Sequence, residues 1–165
     1  MWADVGATLR SEFSDLPDAA GVTRIVLRLT IAAVLGGVLG YERELKGRAA
    51  GLRTHMLVAL GAALFVLVPQ QAGVSDADLT RVLQGLTAGV GFLCAGTIIK
   101  GRGENDIQGL TTAAGVWLTA AIGVAAGMGR EATAVLSTLL ALGILALVPL
   151  VSDRIGGAKP GEPGA

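Results

Sequence analysis

The sequence predicts an all-α membrane protein, a polytopic bundle of about five Gly-rich transmembrane helices. Three observations carry this. Five stretches lack acidic and basic side chains: Leu29–Tyr41, Thr54–Ser75, Val82–Ile99, Ile107–Gly129 and Ala132–Ser152. Only 16% of residues are charged and 52% are hydrophobic, with a mean hydropathy of +0.65, against about 25% charged in soluble domains. Glycine supplies 25 of 165 residues and recurs inside the apolar runs at four-residue spacing, which lets membrane helices approach closely.

Residues 1–21 are polar and mixed in charge. Ala3–Phe13 reads as a short surface helix, and Pro17 as the opening turn of the next. The basic-then-apolar order of a cleaved signal peptide is not seen here. Residues 22–152 form the expected membrane domain, with spans near 22–41, 54–73, 81–99, 109–128 and 131–151. A spanning helix needs about 20 mostly apolar residues. The first span reaches that length by including Arg24 and Arg28, which share a helix face and can extend toward one interface. Residues 153–165 read as a disordered tail.

Orientation follows from the basic flanks. Arg43, Lys46, Arg48, Arg53, Lys100, Arg102, Arg154 and Lys159 fall on one side. Arg10, Arg24, Arg28, Arg81 and Arg130 fall on the other. The expected topology puts the N-terminus outside and the C-terminus in the cytoplasm.

Packing seams are expected where small residues lie four apart: Gly36 and Gly40; Gly85 and Gly89; Gly91, Ala95 and Gly96; and Gly115, Thr119, Gly123 and Gly127. The last span is Leu-rich and expected to face lipid. Cys94 is a single cysteine in an apolar run and reads as a small core residue.

The densest charge lies in Tyr41–His55. It reads either as a positive-inside anchor or as a structured lid. On a continuing helix Glu42 pairs with Lys46 and Glu44 with Arg48, leaving Arg43 free to turn toward the bundle. His55 reads as an interfacial residue. At the start of span four, Gly109 permits a tight entry and Thr111 or Thr112 caps the helix. Both loops fall on the same side, so Arg43, Arg48 or Arg53, with Thr54 beside them, are expected to dock there. Arg43→Ala or Arg53→Ala is therefore expected to damage assembly more than Arg102→Ala. Asp76 and Asp78 read as cap and first-turn residues before Arg81 and Gln84.

Zero net charge gives no basic surface for nucleic acid. A lone Gly89-Val90-Gly91 lacks the strand and third glycine of a dinucleotide site. With no nucleophile–base pair either, an enzyme is not expected. Weak metal candidates are Glu42, Glu44 and Asp106, with Glu104 nearby; no cofactor is expected. The apolar runs of spans two to five contain no Asp, Glu, Lys or Arg, whereas pumps usually place ionisable residues within the membrane.

Several motifs in register resemble the MgtC/SapB family of bacterial inner-membrane proteins. They are Gly40-Tyr41-Glu42-Arg43-Glu44 and Gly47-Arg48-Ala49-Ala50-Gly51-Leu52-Arg53-Thr54-His55, then Arg81-Val82 and Gln84-Gly85. Gly89-Val90-Gly91-Phe92-Leu93-Cys94-Ala95-Gly96-Thr97-Ile98 follows, then Gly109-Leu110-Thr111-Thr112-Ala113-Ala114 with Trp117. Cys94 stands where the family pattern has glycine. The chain resembles the short form, without a soluble C-terminal domain. The resemblance implies a membrane modulator linked to magnesium limitation and, in pathogens, to intracellular survival. It implies the F-type ATP synthase or small membrane peptides as partners. A homo-oligomer is also consistent with the seams. The alternative is a channel or transporter for Mg²⁺ or a small solute.

Overall fold

The computed structural model describes residues 1–12, 14, 18–100 and 107–156. Six helices occur among them: α1 (Trp2–Glu12), α2 (Ala19–Leu45), α3 (Leu52–Gln71), α4 (Asp76–Thr97), α5 (Leu110–Gly127) and α6 (Glu131–Gly156). A two-stranded antiparallel hairpin, β1 (Ile99–Lys100) and β2 (Ile107–Gln108), joins α4 to α5. Phe13, Pro17, Glu104, Asp106, Arg102 and the tail beyond Gly156 lie outside the described residues. α6 continues to Gly156, into the segment expected as tail.

Local chemistry sets the helix ends. Asp18 caps α2, accepting from Gly21 N at 2.6 Å, and Ser75 caps α4, accepting from Asp78 N at 3.2 Å. Asp76 and Asp78 follow in the first turn of α4, where carboxylates favour the positive helix end. Gly47 ends α2 in the left-handed conformation, φ 63°. Gly47 N then donates to Glu44 O and Arg48 N to Arg43 O, both at 3.0 Å. This paired termination satisfies the last carbonyls and turns the chain.

α2, α3, α5 and α6 are long and apolar enough to cross a membrane. α4 is not among them, because Asp76, Asp78, Arg81 and Gln84 occupy its first turns. The expected span over 81–99 falls on this helix. The packing still carries α4 along the bundle. α3 and α5 run parallel, Ala59 against Gly123 and Ala63 against Gly127. α4 returns antiparallel to α5, with Cys94 Sγ donating to Ala113 O at 3.2 Å near one end. Leu83 and Val124 line a common pocket near the other.

α3 is the centre, packed on α2, α5 and α4. The core is built of small side chains, with Ala32, Ala59, Ala63, Ala126 and Ala134 fully buried beside Leu39 and Ile122. Glycines make this spacing necessary. A Cβ on Gly36 would stand 2.6 Å from His55 O, one on Gly40 2.7 Å from Leu52 Cα, and one on Gly127 2.6 Å from Ala63 O. A Cβ on Gly123 would stand 2.8 Å from Ala59 Cα. A Cβ on Gly115 would be in ordinary contact, 3.6 Å from His55 Nε2. The expected seams of α2 and α5 are thus internal contacts. Those of α4 are not: at Gly85, Gly89, Gly91 and Gly96 a Cβ meets nothing within 4 Å.

Opposite the Tyr41–His55 end, Arg28 corrects the picture of a basic residue reaching for the interface. Its Nη1 donates to Gly127 O at 3.1 Å, the last carbonyl of α5, and to Gln70 Oε1 at 3.4 Å. Glu131 lies 3.9 Å from its Nε. Gly129, at φ 75°, leaves room for the guanidinium; its Cβ would stand 2.8 Å from Arg28 Cζ. Arg24 stays exposed. The outer face of α6 exposes Leu136, Leu139, Leu140, Ile144 and Leu147, as a lipid-facing helix should.

Candidate functional site

The end of α2, the start of α3, the start of α5 and the latter half of α6 converge at one end of the bundle. They enclose a cavity of about 160 Å³ lined by Leu39, Arg43, His55, Thr111, Ala114, Gly115, Leu118, Ala141, Ile144 and Leu145. Two of its walls are buried polar side chains: Arg43 is 3% exposed and His55 0%.

Arg43 turns inward because the helix carries it to the bundle side in the last turn of α2. Its Nε donates to Glu42 Oε2. The other Glu42 oxygen lies 2.8 Å from Lys46 Nζ, the expected four-residue pair. One carboxylate therefore serves two cations. Lys46 also donates to Leu145 O at 3.0 Å. That carbonyl lies four residues before Pro149, which has no N–H to close the helical bond. Lys46 thus fills a bond that proline removes and ties the first loop to α6.

Glu44 corrects an expected pairing. It does not reach Arg48, because Gly47 ends the helix between them and destroys the four-residue register. Its Oε2 instead accepts from Leu52 N at 2.8 Å and caps α3 from across the turn. Gly51 admits this carboxylate; a Cβ there would stand 2.7 Å from it. Arg48, Arg53 and Thr54 are exposed, and no side-chain partner is seen for them among the described residues. Of the arginines expected to dock on α5, only Arg43 reaches the cavity that α5 lines.

His55 corrects the reading of an interfacial residue. Gly36 and Gly40 draw α2 against it, and Gly115 opens α5 beside it. Its Nδ1 lies 3.0 Å from Gly51 O. A carbonyl only accepts, so Nδ1 carries the proton of that bond. Nε2 is buried, with no partner among the described residues.

At α5 the cap is Gly109 itself, at φ 90°, with no side-chain cap hydrogen bond at that residue. Thr111 and Thr112 do not take that role. A Cβ on Gly109 would overlap Thr97 O, with Thr97 C at 3.0 Å, so the entry turn requires glycine. Thr111 is exposed and lines the cavity; Thr112 is buried.

The metal candidates do not assemble. Glu42 is held by Arg43 and Lys46, Glu44 by Leu52 N, and Asp106 lies outside the described residues. Among the described residues no three His, Cys, Asp or Glu side chains cluster as metal ligands.

Long apolar helices, glycine seams and charge confined to helix ends define a polytopic α-helical membrane protein. Residues 29–154 match the model of the MgtC family, and the chain belongs to that family. Protein SrpB of Synechococcus elongatus is 44% identical over 126 residues, covering 70% of this chain and 69% of the relative. Protein MgtC of Brucella abortus is 45% identical over 121 residues, 73% of this chain and 50% of the relative. A putative magnesium transporter, YhiD of Escherichia coli K12, is 38% identical over 138 residues, 79% of this chain and 63% of the relative. The chain thus spans between half and about two thirds of these relatives' length. No solved structure gives a significant match.

The bonds of Arg28 to Gly127 O and of Lys46 to Leu145 O, and the burial of His55, escaped sequence reasoning. Pro149 carried the signal for Lys46, since a mid-helix proline implies a carbonyl seeking a donor. His55 followed from the Gly36–Gly40 pair only once α2 and α3 were set in register.

Proposed function

We propose that this chain is a non-enzymatic modulator in the bacterial inner membrane, acting by helix–helix contact with a membrane partner in a setting linked to magnesium. The face of α4 carries this reading. Gly85, Gly89 and Gly96 lie on one helical face with Phe92, which is 82% exposed, and a Cβ on any of the three glycines meets nothing within 4 Å. Glycines on α2 and α5 are consumed inside the bundle, whereas these stand open. In a bilayer such a face lets a second helix approach backbone to backbone. The F-type ATP synthase, a small membrane peptide or a second copy of the chain are the partners that the family resemblance and the seam suggest. The magnesium link rests on the name of the Escherichia coli relative, a putative magnesium transporter. The N-terminus is assigned outside and the C-terminus to the cytoplasm, from the basic residues around the cavity end.

The test is co-purification and magnesium-limited growth with Gly89→Leu. Loss of partner and growth, with the helical fold intact, is the expected result; retention of both overturns the reading. A second reading, transport of Mg²⁺ or a small solute, draws on the name of the Escherichia coli relative. The shared Glu42 weighs against a cation path, because it leaves positive charge at the cavity. Magnesium flux in proteoliposomes above that of empty vesicles would reverse the preference.

A further inference from the structure

The cavity between α2, α3, α5 and α6 holds chemistry that the α4 face does not use. His55 Nδ1 lies against Gly51 O, so in the neutral ring with that bond made Nε2 is an acceptor; it is fully buried, and among the described residues it has no donor. Arg43 is buried in the same wall with its Nε on Glu42, and among the described residues its terminal nitrogens meet no acceptor. Glu42 is shared with Lys46, whose side chain is 41% exposed and solvated, so the buried Arg43 holds its carboxylate partner through Nε alone. Buried cations without a full counter-charge are costly unless an anion joins them. The start of α5 beside the cavity is formed at Gly109, with no side-chain cap hydrogen bond at that residue, and a helix start favours an anion.

The remaining lining is apolar: Leu39, Leu118, Ala141 and Leu145. The rim reaches the outer surface at Ile144, which is 61% exposed. Arg43 lies in the last turn of one helix, and His55 and Thr111 in the opening turns of two others. The polar wall therefore lies at the ends of the spanning helices, where lipid phosphates are found. Its volume of about 160 Å³ equals roughly five waters' share of liquid.

We propose that this cavity binds a phosphate that also presents a hydroxyl, of the glycerol phosphate class. The phosphate oxygens sit against Arg43 and the start of α5, and the hydroxyl donates to His55 Nε2. The two sources of that chemistry are the head group of an anionic glycerolipid and a soluble glycerol phosphate.

The protein is purified whole and presented with phosphatidylglycerol, phosphatidylcholine, glycerol 3-phosphate or inorganic phosphate. Retained lipid is read by native mass spectrometry. The expected result is at least a tenfold preference for phosphatidylglycerol over phosphatidylcholine, lost in Arg43→Gln and kept in Arg53→Gln. Displacement of the lipid by glycerol 3-phosphate assigns the soluble source, and failure to displace it assigns the lipid. His55 is the single histidine, so its imidazole nitrogen signals in the wild-type protein are unambiguous. Ligand should shift Nε2 to a hydrogen-bonded acceptor, which keeps the test valid if Arg43→Gln fails to fold. Equal loss in Arg53→Gln, or an Nε2 signal indifferent to all four probes, overturns the proposal.

Discussion

Gly123→Ala adds one methyl group where two helices touch backbone to backbone. The new Cβ would stand 2.8 Å from Ala59 Cα and 2.9 Å from Ala59 C, with Ala59 O closer still. No side chain can rotate away, so α3 and α5 must part. That strains the next contact along the same seam, Gly127 against Ala63. Overpacking of this kind costs about 1–3 kcal/mol, and a purely backbone clash belongs near the upper end. Gly89→Ala is the control, because its Cβ meets nothing within 4 Å. Both changes gain the same helix propensity, up to about 1 kcal/mol. The difference between the two variants therefore isolates the steric term, about 3 kcal/mol. For a chain of this size that corresponds to roughly 6–12 °C in Tm. Thermal unfolding in detergent or lipid nanodiscs, followed by circular dichroism, reads it. Equal melting temperatures for the two variants would refute the α3–α5 seam.

Further outcomes follow from the cavity end. Arg43→Met should lower stability by about 3 kcal/mol, since it strips a partner from a largely buried ion pair. Arg53→Ala, at an exposed position, should stay within about 0.5 kcal/mol in the same melt. Glu44→Ala should cost about 1 kcal/mol by uncapping α3, with Glu44→Gln recovering most of it through its remaining oxygen; hydrogen exchange at Leu52 N reports the cap directly. Lys46→Ala should cost roughly 1 kcal/mol with Pro149 in place and clearly less in Pro149→Ala, where Leu145 O regains a helical donor. A double-mutant cycle with no coupling would separate Lys46 from that carbonyl.

Much of the fold was legible because apolar length is a local property, and the apolar runs need only their own composition. The helix ends at Asp18, Ser75 and Gly47 also rest on bonds within a few residues, yet the sequence pattern places Asp76 and Asp78 at the cap of α4 and carries α2 past Gly47, so these ends came from the structure. The site was legible in part. Glu42 and Lys46 pair within one continuous helix, as four-residue spacing predicts. Glu44 and Arg48 do not, because Gly47 interrupts the helix. Glycine spacing located seams correctly on α2 and α5. It had no means of separating them from α4, where the same spacing faces outward.

The sequence alone determined that the chain is an all-α membrane protein, where its apolar helices lie and that charge gathers around Tyr41–His55. Composition suffices there, since a bilayer accepts only apolar, internally hydrogen-bonded segments. Only the tertiary structure decided which glycines meet a helix and which stand open. It also turned Arg43 and His55 into a shared cavity, sent Glu44 to Leu52 N and Lys46 to Leu145 O. Each of these depends on the rotation and register of one helix against another, set by contacts between residues far apart in the chain.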